Sequence, residues 1–227
     1  MTVADALQAR RSTRAFLDRP VSAALLRRLI DLARRAPSGG NLQPWRLYVV
    51  AAERREALIR AVRSLIAADP ERAVSGEGAE YRIYPPDLQE PYRTRRAAVG
   101  AQLYESLSIA SADRAARLRQ LARNYEFFGA PVGIIVTINR NMLQGQFVDL
   151  GLFLQSFALL AVEHGLATCM QESWANWPRT IRSVLPVPVA ELIFCAVSLG
   201  YPDCDHPINR FATERAEVDD FCQFFDL

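Results

Sequence analysis

The segment 10–14, Arg10-Arg11-Ser12-Thr13-Arg14, places three guanidinium groups and two hydroxyl groups within five residues. A guanidinium is permanently charged, and its forked N–H groups match the oxygens of a phosphate. The segment could therefore surround a phosphate dianion. The chain is rich in arginine and contains no lysine, so spacing alone also allows a solvated basic face at a helix end.

A second polar segment covers residues 36–45 and reads APSGGNLQPW. Gly39 and Gly40 allow a ligand to approach the backbone closely, and serine, asparagine and glutamine supply neutral hydrogen-bonding groups. Such a loop fits the polar edge of a flat heteroaromatic ring. Taken on its own, however, the segment is better explained as an ordinary helix-to-strand turn.

Length, composition and missing motifs exclude several classes. A chain of 227 residues suits one moderate domain or two small ones, and a net charge of +2 does not argue for nucleic acid binding. The four cysteines form no C-x-x-C pair, so we expect no metal site. Neither a G-x-G-x-x-G motif after a strand nor a P-loop motif occurs, so we expect neither a Rossmann nicotinamide site nor a P-loop NTPase.

The sequence predicts a soluble cytoplasmic protein with free thiols and no membrane association. Residues 1–8 lack the basic and apolar regions of a signal peptide, and the longest apolar stretch, 147–162, is interrupted by polar residues.

Periodicity predicts alternating helices and strands. The helices cover about residues 3–9, 22–35, 53–68, 113–124, 146–164 and 178–185, and the strands cover about 45–51, 132–138, 167–172 and 191–199. The helix at 146–164 is the most apolar, so we expect it in the core. The proline-rich stretch 69–93 is interpreted as a loop or lid, with 89–108 as a possible helix. The alternation indicates a layered α/β or α+β domain.

Two blocks, RRSTRAF and APSGGNLQPWRLYVV, separated by about 20 residues, resemble the FMN-dependent nitroreductase family. Supporting matches are NYEFFGAP before the strand at 132, the apolar helix at 146–164, QES after the strand at 167, and GYP with a later Arg215. The resemblance covers nearly the whole chain. The long stretch 64–123, with its YPP and YRTRR runs, is similar to a subgroup related to nitrobenzoate reductases.

The resemblance implies an FMN site. Arg10, Arg11, Ser12 and Arg14 would hold the phosphate and ribityl chain, and Arg215 would close the phosphate site. Pro37, Ser38, Gly39 and Asn41 would reach the isoalloxazine from a partner subunit. Asn124 would bind the polar edge or the ribityl chain, and Gln171, Glu172 and Ser173 would lie near N5 and O4. Substrate contacts would come from Tyr84, Tyr92, Arg93 and Trp174, with core packing the alternative for the tryptophan.

The resemblance also implies an activity and a fold. NAD(P)H would reduce FMN in a ping-pong cycle, and a nitroaromatic or quinone-like small molecule would then accept the hydride, with no side-chain nucleophile and no metal. Alternatives are a relative that dehalogenates, reduces alkenes or destroys flavin, and a non-catalytic flavin-binding homodimer. The expected fold is a three-layer α/β/α domain of the α+β class, with a mostly antiparallel sheet. One domain would span 1–227, with a lid at about 64–123 and a tail at about 209–227 wrapping around the partner in an intertwined homodimer with FMN at the interface.

Overall fold

A four-stranded antiparallel sheet forms the centre of the protein, whose structure, a computed structural model, describes residues 1–226. The strands β1 (Arg46–Ala51), β2 (Val132–Asn139), β3 (Ala167–Gln171) and β4 (Glu191–Gly200) lie in the order β1-β2-β4-β3. The central strand β2 is buried at every position except Asn139, which explains its nearly continuous apolar sequence. All four predicted strands are therefore confirmed.

Helices cover both faces of this sheet. They are α1 (Val3–Ala9), α2 (Ala23–Ala33), α3 (Ala52–Ala68), α4 (Arg72–Ser75), α5 (Tyr92–Ser106), α6 (Arg114–Ala122), α7 (Gln144–Glu163) and α8 (Pro178–Val184). On one face Leu29 of α2 and Phe153 of α7 share a buried cluster with β2 and β4. On the other, Leu58 of α3 and Ile181 of α8 do the same. The predicted three-layer α+β architecture is confirmed.

Local signals set the helix ends where the sequence predicts them. Thr2 and Asp5 form a capping box at the start of α1. The Ser22 hydroxyl accepts the Leu25 N–H at 3.2 Å and caps α2. Gly165, with φ of 71°, follows α7 in the left-handed conformation that ends a helix.

The apolar helix α7 packs on the sheet along one face, as expected of a core helix, and exposes the other face. Leu150, Phe153 and Phe157 are buried, whereas Val148 is 64 % and Leu152 41 % exposed. Within residues 1–226, α7 is also the one helix long and apolar enough to cross a membrane, a property that core helices share. The buried half shows that this helix packs on the sheet.

The stretch between α3 and β2 is more helical than a simple loop. Residues 69–93 are irregular apart from the short α4, and the possible helix at 89–108 is present as α5. None of the residues of α5 is buried, so it lies on the surface. The irregular stretch before α5 is anchored to the rest of the protein at Glu80. Its carboxylate pairs with Arg182 at 2.8 Å and accepts the Ile193 N–H of β4.

Candidate functional site

The segment 10–14 is extended along the outer edge of β3. Ser12 bridges Thr168 in parallel fashion, and the Thr13 N–H donates to the Thr168 carbonyl at 3.0 Å. Side chains alternate in extended backbone. Thr13 accordingly points inward, with 1 % of its surface exposed, while Ser12 and Arg14 face an open cavity. The pairing with the sheet edge thus turns Ser12 and Arg14 towards the cavity.

This cavity, called the arginine cavity below, has a volume of about 410 Å³. It brings together all five residues predicted to hold a phosphate, although Arg215 is far from the others in sequence. Its lining comprises Leu7, Gln8, Arg10, Arg11, Ser12, Arg14, Val99, Ile208, Asn209, Phe211, Ala212, Thr213 and Arg215. Apolar side chains and guanidiniums therefore both contribute to its lining.

The charge of the arginine cavity is not balanced. No aspartate or glutamate lines it, and across residues 1–226 none of its four arginines forms a salt bridge, although twelve other pairs exist. The positive potential reaches the neighbouring Cys169: burial raises the pKa of this thiol to about 11, and Arg14 and Arg10 oppose that rise. The cavity therefore has the electrostatics of an anion site.

The loop 37–41 lies elsewhere, since none of its residues lines the arginine cavity. It is held rigidly: the Ser38 hydroxyl accepts the Gln43 N–H at 3.0 Å, and the Gly39 N–H donates to Asp149 of α7 at 3.1 Å. Gly40 and Asn41 both have φ of 57°, a conformation that suits glycine and asparagine. Within one chain this loop and the arginines do not form a single site.

A third group follows β3. The Gln171 side chain is buried and donates to the Asn124 carbonyl at 2.7 Å, while the Ser198 hydroxyl donates to Gln171. The Asn124 amide in turn donates to the Leu121 carbonyl at 3.0 Å. Both predicted amide side chains are thus engaged inside the protein. The Ser173 hydroxyl differs, because it is buried and has no hydrogen-bond partner within residues 1–226.

Trp174 is a core residue, which corrects its assignment as a substrate contact. It is 0 % exposed, its ring stacks on Phe127 with centroids 4.6 Å apart, and its indole N–H donates to the Asn124 carbonyl at 3.1 Å. The short 3₁₀ turn Glu172–Asn176 points this ring inward. Of the two interpretations open from the sequence, core packing is the correct one.

The remaining substrate candidates lie on the surface around α5. Tyr84 is 50 % and Tyr92 60 % exposed, and Arg93 pairs with Glu90 at 2.7 Å. Arg93 lines a second, open cavity of about 1230 Å³ on α5, whereas neither tyrosine lines that cavity or the arginine cavity. The one α5 residue at the arginine cavity is Val99. The structure therefore does not gather these candidates into one site.

Glu172 carries a carboxylate in an unfavourable environment. Burial raises the pKa of Glu172 above its ordinary value of 4.5, and its carboxylate has no hydrogen bond or salt bridge in the described chain. Burial raises the pKa of Tyr81, in the 64–123 segment, and of Cys195, on β4. The negative charge of Glu172 is a second, smaller cause of both increases. Ionised Glu172 thus weakens the fold.

We expect Glu172→Gln to stabilise the protein at mildly alkaline pH. A carboxyl whose pKa is raised by folding binds its proton more tightly in the folded state, so its favourable contribution exists below the ordinary pKa of 4.5 and is lost as the pH rises. Glutamine removes that pH-dependent loss. Denaturant unfolding without added FMN should therefore show a stability gain that shrinks towards zero on acidification. The exposed Glu214→Gln is the matched control; an equal gain from it, or a pH-independent gain at position 172, would contradict the assignment.

Two buried polar residues near the site escape the sequence analysis. Asp149 is 7 % exposed, and its second carboxylate oxygen is buried without a partner within residues 1–226. The signal was present, since it is the one acidic residue in the apolar middle of α7. Asn209 is also 7 % exposed and contacts the segment 10–14. It lies 195 positions from Arg14, and no local pattern identifies it.

Comparison with known proteins gives a consistent match over the chain. The family model described as Nitroreductase family matches residues 7–201. A nitrobenzene nitroreductase of Ectopseudomonas oleovorans is 36 % identical over 220 residues, covering 97 % of this chain and 95 % of that protein. A 4-nitrobenzoate reductase of Pseudomonas putida is 38 % identical over 215 residues, covering 95 % and 92 %.

Solved structures agree with this match. The FMN- and NADPH-dependent nitroreductase NfnB of Sphigopyxis sp. strain HMH superposes with a TM-score of 0.95 at 43 % identity, covering 100 % of both chains. The FMN-dependent nitroreductase NfnB of Mycobacterium smegmatis, in complex with NADPH, gives a TM-score of 0.91 at 27 % identity over 98 % of both chains.

Proposed function

The chain belongs to the nitroreductase family, and on that premise we propose that it is an FMN-dependent enzyme that uses NAD(P)H to reduce nitroaromatic or quinone-like small molecules. The related enzymes are named for the reduction of nitrobenzene and of 4-nitrobenzoate. A related enzyme of known structure is described as dependent on FMN and NADPH. This supports a nitroaromatic as the electron acceptor.

One observation carries the cofactor assignment: four guanidiniums converge on one cavity without a carboxylate to balance them. Uncompensated like charges repel one another, and a phosphate dianion removes that repulsion while accepting forked hydrogen bonds. We assign Arg10, Arg11, Ser12, Arg14 and Arg215 to the FMN phosphate and ribityl chain. The cavity also has apolar residues in its lining, which suit a ligand longer than a phosphate ion.

The flavin ring would lie at the end of β3, beside Asn124 and the segment 171–173. Because the Gln171 and Asn124 side chains are engaged internally, we assign ring contacts to the backbone N–H groups of this segment and to the Ser173 hydroxyl. An unpaired buried hydroxyl costs about 1–3 kcal/mol. The orphaned Ser173 oxygen therefore fits a site that a polar ligand completes.

The loop 37–41 would serve the flavin of a second subunit, because within its own chain it lies apart from the arginine cavity. Apolar groups are exposed in places that suit a homodimer: one face of α7, and the tail, where Phe221, Phe224 and Phe225 are 72, 61 and 77 % exposed. Soluble monomers rarely expose such patches. We infer an intertwined homodimer in which the tail 209–227 wraps around the partner beyond Arg215, since residues 209–215 lie at the arginine cavity of their own chain. Leu227 lies outside the described residues.

The protein would bind and orient the cofactor and the substrate and would exclude water from them. Bound FMN would supply the two-electron chemistry. The arginine cavity anchors one end of the cofactor and thereby fixes the ring over the segment 171–173. We assign 64–123 as a lid on a single domain 1–227, with Tyr84, Tyr92 and Arg93 as its candidate substrate contacts. The four free cysteines fit a soluble protein of the reducing cytoplasm.

Steady-state kinetics with 4-nitrobenzoate test the reaction. We expect NADPH oxidation that depends on the nitro compound, with the parallel double-reciprocal lines of a ping-pong mechanism, and hydroxylamine or amine products. Nitrobenzene serves as an uncharged comparison acceptor. If flavin-loaded protein oxidises NADPH but transfers no electrons to nitroaromatics or quinones, the proposed substrate class is wrong.

A further inference from the structure

Asn209 ties the C-terminal region to the segment 10–14 through its side-chain amide. The Oδ1 atom accepts the Arg14 N–H at 2.8 Å. The Nδ2 group donates to the Ala15 carbonyl at 2.8 Å and to the Asp203 carbonyl at 2.8 Å. With both amide hydrogens and the carbonyl oxygen engaged, the buried side chain is fully paired.

These contacts fix the backbone from which the Arg14 guanidinium projects. The side-chain amide of Asn209 holds the N–H of Arg14 and the carbonyl of the next residue, so it fixes the backbone on both sides of the Arg14 Cα. The main-chain carbonyl of residue 209 accepts a hydrogen bond from the Arg11 guanidinium at 3.2 Å, a contact that does not depend on the side chain. Asn209 itself lines the arginine cavity. Its side chain therefore bears on Arg14, a charged group 195 positions away in sequence.

No substitute reproduces this geometry. Alanine removes the acceptor of the Arg14 N–H and one of the two donors to the Ala15 carbonyl, which keeps the Asp203 N–H at 3.1 Å. Ala15 is 6 % exposed, so water compensates poorly for the loss. Aspartate keeps the acceptor but cannot donate, and its charge would face two carbonyl oxygens. Asparagine alone among residues of this size both accepts one hydrogen bond and donates two.

We propose that Asn209 is a positioning residue for a phosphate monoester in the arginine cavity, its side chain acting through Arg14. This inference rests on the proposed function, which supplies FMN as the ligand. Because the effect passes through a phosphate-binding arginine, loss of Asn209 must weaken binding of FMN but not of riboflavin, which has the same ring and ribityl chain and lacks the phosphate. A general loss of folding would weaken both.

The experiment compares dissociation constants for FMN and riboflavin, measured by flavin fluorescence quenching in the full-length protein stripped of flavin. We expect Asn209→Ala to weaken FMN binding about tenfold or more and to leave riboflavin binding within about twofold. The control is Tyr48→Phe, which removes a half-buried hydrogen bond to Glu191. Tyr48 lies on β1, the strand at the opposite edge of the sheet from β3, so this substitution should lower stability without changing either constant. Equal weakening of both flavins, or unchanged FMN binding in a folded variant, overturns the proposal.

Two further comparisons separate the possible failures. If Asn209 acts through Arg14, the double variant Asn209→Ala/Arg14→Ala should bind FMN about as weakly as Arg14→Ala alone; additive losses contradict the positioning role. If Asn209→Ala does not fold, Asn209→Ser, which keeps a hydroxyl, takes its place in the experiment. We expect this variant also to bind FMN more weakly while its riboflavin binding stays nearly unchanged. Wild-type protein that prefers FMN no more than riboflavin would instead show that the phosphate assignment, and with it the proposed function, has failed.

Discussion

Trp174→Ala should lower the free energy of unfolding by roughly 3–5 kcal/mol, the range for removing a large aromatic side chain from a core. The ring is fully buried, stacks on Phe127, and meets Tyr125 edge-on with centroids 5.5 Å apart. Its indole N–H also pairs with the Asn124 carbonyl. Denaturant unfolding monitored by circular dichroism measures the loss.

The matched comparison for Trp174 is Tyr92→Ala, which removes an aromatic side chain that is 60 % exposed. Surface substitutions usually change stability by no more than about 0.5 kcal/mol, so we expect this variant to unfold like the wild type. If Trp174→Ala left the stability unchanged but altered the KM for the nitro compound, Trp174 would be a substrate contact. That result would contradict its placement in the core.

Arg14→Ala should weaken FMN binding by about 1.5–3 kcal/mol, the contribution of a hydrogen bond to a charged group. This corresponds to roughly 10- to 150-fold in the dissociation constant. The side chain lines the arginine cavity and its backbone is held on both sides. Because the interaction is ionic, the wild-type affinity should also fall with added salt, and more steeply than that of the variant.

Arg28→Ala controls for the loss of one positive charge. Arg28 is exposed on α2 and does not line the arginine cavity, so its removal should leave FMN affinity nearly unchanged. Equal losses from both variants would mean that net charge, rather than a built phosphate site, attracts the cofactor. An unchanged affinity in Arg14→Ala would mean that the segment 10–14 has been misinterpreted.

Much of the fold follows from local sequence. The start of α2 is predicted because Ser22 caps it and its apolar residues recur at helical spacing. The buried strand β2 is predicted because nearly every position is apolar. The segment 10–14 is recognisable as a candidate phosphate site because three guanidiniums and two hydroxyls lie within five consecutive positions and because the segment resembles a family motif. These features depend on interactions between residues close in sequence.

Other features depend on contacts that no local pattern encodes. Hydropathy cannot distinguish a face buried in its own chain from one left for a partner, which is why α7 is predicted as a core helix although Val148 and Leu152 are exposed. The direction of the Trp174 ring depends on Phe127 and Tyr125, far away in sequence. Asn209 acquires its role only when folding brings it to Arg14.

The absorption spectrum of the purified protein, recorded before and after anaerobic addition of NADPH, tests the central claim most directly. We predict a yellow protein, or a colourless one that turns yellow on addition of FMN, with flavin bands that NADPH bleaches and a nitroaromatic compound restores. A protein that takes up no FMN would contradict the assignment of the arginine cavity. A yellow protein that NADPH does not bleach would indicate a flavin-binding protein without this reductase activity.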